Sequence, residues 1–187
     1  MEMDYCESQE GIFSQESHGD CTSLTVMNYR YDGRSEDQFK CDIKSRTQEE
    51  RRLFLLWLDL IERNSGKRPQ YTDTGCGQSG ELLTDKEVSM DPDFNVEGYG
   101  KIEVKFSKPL LDKFFHLKAS QIKSYIRDEA IILMINGADE AIPQYTMLKT
   151  DALKDIAETC KVIPWTGFGS KMSYKIPVSK FVWRPLK

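Results

Sequence analysis

Three charged residues of this 187-residue chain, Asp93, Glu103 and Lys105, have the types and spacing needed to cut a phosphodiester. Two carboxylates are hard oxygen ligands. Mg²⁺ typically takes only one or two of them and leaves the rest of its octahedral shell to waters and a substrate phosphate. An ammonium beside them can position or help deprotonate the attacking water and can offset charge in the transition state. A lone E-x-K is more often a solvated sheet face of mixed charge; here it stands one hairpin after Pro92-Asp93.

The neighbouring residues predict how the three are brought together. Val88, Met90, Pro92 and Phe94 alternate with Ser89, Asp91, Asp93 and Asn95, the period-two pattern of a strand with one buried face. Glu97-Gly98-Tyr99-Gly100 supplies a reversal, after which Ile102, Val104 and Phe106 alternate with Lys101, Glu103 and Lys105. Paired as a hairpin, the two strands place Asp93, Glu103 and Lys105 on one surface. The Val104 carbonyl lies between two functional side chains and is presented at the same strand edge, as a further metal ligand.

The flanking segments supply a scaffold. Residues 47–64 predict a helix opened by a capping box, Thr47 as N-cap and Glu50 at N3. Its apolar residues, Leu53, Phe54, Trp57, Leu60 and Ile61 widened by Leu55, Leu56 and Leu58, call for deep burial. Residues 69–73 predict a short strand. Residues 74–86 form a Gly-rich segment without the G-K-[ST] ending of a phosphate-binding loop, so a loop over the substrate groove is expected there, with Glu81 a remote ligand candidate. A second helix is predicted over 116–128 and a strand buried on both faces over 130–136. Beyond these come a strand at 145–149, a helix at 151–160 capped by Thr150 or Asp151, and a strand at 174–183 placed at a sheet edge by Pro177. The loop 165–171, WTGFGSK, has a composition suited to DNA contact and equally to a packed turn.

Pro92-Asp93, nine intervening residues, then Glu103-Val104-Lys105, set in the order helix, three strands, helix, strand, resembles the PD-(D/E)XK nuclease superfamily over roughly residues 47–136. The resemblance implies an α/β protein with a restriction-endonuclease-like core: a helix, a three-strand meander, a helix and a strand around a mixed central sheet, with C-terminal additions over 137–187. It implies a Mg²⁺-dependent endonuclease, with Mn²⁺ as substitute, acting on double-stranded DNA. The family usually carries a further acidic residue on the first helix near the metal, and Glu50 is the match; capping alone is the other reading of Glu50, and Glu49 and Glu62 are weaker choices. Several branches place a Gln on the helix after the motif, where Gln121 falls, and a solvent-exposed Gln is the alternative. One active site per chain implies a homodimer for cutting both strands. Two other functions fit the same residues: an RNA endonuclease of similar fold, and a catalytically silent nuclease-like module that binds nucleic acid or a protein.

Composition sets the boundaries. With 39% hydrophobic and 30% charged residues the chain is expected to fold as one domain over 23–187, preceded by a flexible acidic arm at 1–22 that holds six acids and no Lys or Arg. The net charge of -4 is segregated: residues 1–50 hold 12 acids against 5 bases, leaving 18 acids against 21 bases in the rest. Residues 101–127 carry seven Lys/Arg and residues 161–187 carry six with no acid, clusters able to meet phosphates. Five scattered cysteines and two histidines give little material for a disulfide framework, zinc or a His-dependent triad. No membrane-spanning run or signal peptide is evident, so a cytoplasmic protein is expected.

Overall fold

No glycine or proline interrupts residues 36–65, and the computed structural model, which describes residues 36–75 and 91–187, runs them as one helix, α1 (Glu36–Ser65). The start expected at Thr47 is therefore wrong. Thr47 and Glu50 lie inside the helix and do not form a capping box, because the residues before Thr47 are as compatible with a helix as those after it. The end is where it was expected: Gly66 adopts φ +74° and its N–H reaches the Glu62 carbonyl at 2.7 Å. Only the second half of α1 is apolar. Leu53, Phe54, Trp57 and Leu58 are buried while Leu55, Leu56, Leu60 and Ile61 are partly covered, so one face is buried and the helix is not enclosed all round.

The main sheet has six strands: β1 (Tyr71–Asp73), β2 (Phe94–Val96), β3 (Gly100–Ser107), β5 (Ile131–Asn136), β6 (Gln144–Leu148) and β9 (Arg184–Pro185), in the spatial order β1-β2-β3-β5-β6-β9. β1, β2 and β3 form an antiparallel meander, β5 returns parallel to β3, and β6 and β9 continue antiparallel. The sheet is mixed and the architecture α/β. Between β3 and β5 come β4 (Phe114–Lys118) and α2 (Ala119–Arg127). The helix expected from residue 116 thus starts three residues later. Phe115 and Leu117 alternate with Phe114, His116 and Lys118, and that period-two stretch pairs with a distant strand that local sequence does not reveal.

That partner is β8 (Lys171–Pro177), flanked on its other side by β7 (Lys161–Trp165), and the three make a second, antiparallel sheet ordered β4-β8-β7. β7 was not anticipated. β8 starts and stops earlier than the strand expected at 174–183, and it is central instead of an edge; Pro177 is tolerated because it is the last residue of the strand. α3 (Thr150–Thr159) matches its expected helix, but Lys149 stands at the N-cap with no side-chain cap, so neither Thr150 nor Asp151 caps it.

Each face of the main sheet has its own core. On one, α1 packs Leu53, Phe54 and Trp57 onto Phe94, Ile102 and Val104, with the Phe54 and Phe94 rings stacked at 3.7 Å. On the other, Ile132 and Met134 meet Ile122 and Tyr125 of α2, Leu153 and Ile156 of α3, and the inner side of the second sheet. The buried Asn136 ties down the chain after β3, accepting from Ser107 Oγ (2.9 Å) and the Leu111 N–H (2.8 Å) and donating to the Leu111 carbonyl (2.9 Å). All described residues lie within the compact unit Tyr31–Lys187. The arm at 1–22, Val88, Met90, most of the Gly-rich segment and Glu81 lie outside the described residues.

Candidate active site

Glu103 and, two residues on, Lys105 share the face of β3 that meets Tyr125 of α2. Asp93 is the residue just before β2, outside the β2–β3 ladder, and its side chain reaches the Val104 N–H at the edge of β3, close enough for the charge of Glu103 to act on it. Three contacts fix the Pro92-Asp93 segment. The Thr74 and Gly75 N–H groups donate to the Asp93 carbonyl at 3.0 and 3.2 Å, and Thr74 Oγ1 donates to the Pro92 carbonyl at 2.5 Å. Gly75 is needed for close approach: a Cβ there would sit 3.0 Å from Asp93 Cα.

Each carboxylate uses one oxygen within the protein. Asp93 Oδ2 accepts the Val104 N–H at 2.8 Å. Glu103 Oε1 accepts from the Lys105 ammonium and from the Tyr125 hydroxyl, the latter at 2.8 Å. Among the described residues Asp93 Oδ1 and Glu103 Oε2 take no hydrogen bond and neither is wholly enclosed, although Glu103 as a whole is buried. N–H and C=O of one strand residue leave on the same side, which puts the Val104 carbonyl at the Asp93 edge.

The carboxylates crowd one another. Burial, then the charge of Glu103, pushes Asp93 up to about 7, with Glu50 adding and Lys105 opposing. Burial likewise raises Glu50, with Lys105 and Arg46 opposing and Glu103 adding. Glu50 therefore lies within electrostatic reach, but Arg46 Nε holds it at 3.2 Å. Among the described residues no three Asp, Glu, His or Cys side chains close into a metal cage. The fit to a hard divalent cation rests on two carboxylates with one open oxygen each and an adjacent carbonyl, a donor set that leaves room for a phosphate.

The other candidates divide. Glu49 and Glu62 are taken up by Arg52 and Arg68, at 2.6 and 3.1 Å. Gln121 is half-buried on α2, one turn before Tyr125 and on the same side, without a hydrogen bond to a described residue. Tyr125 itself reads in the sequence as a core residue; its spacing of four from Gln121 was the available signal. Cations from the two basic clusters and from α1 also meet: burial lowers the Lys118 ammonium, and the charges of Lys171, Lys105 and Arg46 lower it further, so each of the three lies within electrostatic reach of Lys118. Arg46 also covers the Phe106 ring at 5.7 Å and lines a cleft of about 320 Å³ with Asp42, Ser45 and Lys108.

Comparison finds no match. No protein-family model, no curated protein and no solved structure resembles the chain closely enough to count as one. Among the described residues no helix is long and apolar enough to cross a membrane.

Proposed function

We propose that this protein is a Mg²⁺-dependent endonuclease that hydrolyses phosphodiester bonds in double-stranded DNA. The observation that carries the reading is the neighbouring carboxylates Asp93 and Glu103, each with one oxygen free of hydrogen bonds among the described residues, beside the Lys105 ammonium. The succession of α1, the β1–β3 meander, α2 and the parallel β5 supports a restriction-endonuclease-like core, to which β4 is an insertion.

Asp93, Glu103 and the Val104 carbonyl would hold the metal, which when bound acts as a Lewis acid and lowers the pKa of a coordinated water. Glu50, behind them on α1, adds negative charge to the pocket. Tyr125 fixes the carboxylate plane of Glu103, and Gln121 lies one turn nearer the helix start, where a phosphate or water would pass. Lys105 bears on the chemical step by offering positive charge where the pentacoordinate phosphate gathers negative charge. Two copies acting together would cut both strands of a duplex.

The test is incubation of the full chain with supercoiled plasmid, linear duplex and RNA, each with Mg²⁺, Mn²⁺ or EDTA. The reading requires metal-dependent nicking or linearisation of DNA that disappears in Asp93→Ala and Glu103→Ala. A wild-type protein that binds no divalent cation and cuts nothing overturns it in favour of a silent binding module, and cleavage confined to RNA moves the substrate class.

A further inference from the structure

The outward side of the second sheet carries chemistry that the proposed active site leaves unused. Phe115, Leu117, Tyr174 and Ile176 point into the core, so strand alternation turns His116 and Lys118 of β4, Lys171 and Lys175 of β8, and Lys161 and Trp165 of β7 the other way. None of the three strands contains an acidic residue. Lys161 and Lys175 are direct cross-strand partners, with His116 opposite Lys175 on its far side. Like charges set directly opposite each other destabilise a sheet, and an anion lying between the Lys161 and Lys175 ammoniums would relieve that cost; burial and the charge of Lys175 favour neutral His116.

The aromatic rings on this side each make one contact and stay partly exposed. His116 and Trp165 stack at 3.7 Å and 7°, forming a roof over Ser173, which is fully buried although it faces outward; the backbone of Gly167 lies so close to the Trp165 pyrrole ring that a Cβ would come within 2.6 Å of Nε1. Lys175 Nζ sits over the Phe114 ring at 3.9 Å. This face offers ammonium groups around the His116–Trp165 stack, with Trp165 and Phe114 still partly exposed, a composition that suits a phosphate backbone. Lys171 and Lys175 are separated by roughly 13 Å along β8 at ~3.3 Å per residue, close to the ~12 Å width of a B-DNA major groove.

We propose that this face seats the phosphate backbone of duplex DNA and leads it over Lys171 and Lys118 to Asp93 and Glu103. The proposal deepens the endonuclease reading and rests on it for the direction of travel. Lys118 is the register partner of Ser173, two residues from Lys171 on β8, and the charges of Lys171 on this face and of Lys105 in the site both reach it.

The experiment measures duplex binding in EDTA between 50 and 300 mM salt for the wild type, Lys161→Gln/Lys171→Gln, and the control Lys149→Gln/Lys154→Gln, whose lysines are exposed beside and on α3. Each phosphate contact contributes about 0.9 to the log-log salt slope. The face variant should therefore lose a slope of about 1.8 and bind roughly 60-fold more weakly at 0.1 M salt, while the control retains the wild-type slope. Melting temperature checks that both variants are folded. Equal slopes in all three proteins, or equal losses in both variants, overturn this face as the DNA seat, and plasmid cleavage by the same wild-type preparation in Mg²⁺ would leave the nuclease reading standing. Lysine-dependent binding without cleavage keeps the seat and removes the nuclease. Tighter binding to an RNA duplex than to DNA overturns the choice of DNA.

Discussion

Asp93→Asn should make the metal-free protein more stable at pH 8 while removing its cleavage. Asp93 is partly buried, faces Glu103 and feels Glu50, and its pKa rises from 3.8 to about 7. Below pH 4 the carboxyl is protonated in both folded and unfolded chains and contributes no difference. Between 4 and 7 the unfolded chain releases the proton and the folded chain retains it, so folded stability falls relative to the asparagine variant until the loss is complete above 7. At about 1.36 kcal/mol per pKa unit the full displacement corresponds to roughly 4 kcal/mol. Solvent at the open Oδ1 screens part of this, and about 1–3 kcal/mol is expected. Asparagine keeps an oxygen for the Val104 N–H, so the hydrogen bond at 2.8 Å is retained. For a chain of this size the gain amounts to roughly 3–10 °C in Tm. Thermal melts of both proteins in EDTA at pH 4, 6 and 8 measure it, the gap opening as pH rises and closing in the wild type's favour when Mg²⁺ is added at pH 8. A variant less stable than wild type at pH 8, or a gap independent of pH, refutes the crowded-carboxylate account.

Lys105→Ala should retain metal binding and lower the cleavage rate by about 100- to 1000-fold; because Lys105 opposes the rise of Asp93, the residual activity should also titrate at higher pH than in wild type, readable in a pH–rate profile. Tyr125→Phe removes the donor 2.8 Å from Glu103 and should cost about 1–3 kcal/mol of stability by denaturant titration, with Lys105 still on the same oxygen. Gly75→Ala would press a methyl against Asp93 Cα at 3.0 Å; a cost of about 1–3 kcal/mol is expected, together with reduced cleavage, whereas Gly98→Ala, where a Cβ meets nothing within 4 Å but φ is +77°, should lower stability and leave Asp93 in place.

What the sequence determined by itself was local. Alternation along Gly100–Ser107 put Glu103 and Lys105 on one face, because side-chain direction in a strand has a period of two whatever the strand later packs against; the strand expected to begin at Val88 is strand only from Phe94, and Asp93 is held by its contacts with Thr74, Gly75 and Val104. The uninterrupted apolar stretch 131–135 announced a strand covered on both sides, and Asn136-Gly137 its end, for the same reason. The start of α1 was misjudged because a capping pattern is visible in sequence but exerts no effect once the residues before it can also be helical. Tertiary structure alone decided that Phe114–Lys118 is a strand, since its partner β8 lies more than fifty residues away and strand pairing depends on a neighbour no local window contains. Tyr125 on Glu103, Gly75 beneath Asp93, and the row His116, Lys175 and Lys161 are likewise meetings between different elements, made by strand pairing and by packing α2 against the main sheet, which no local window contains.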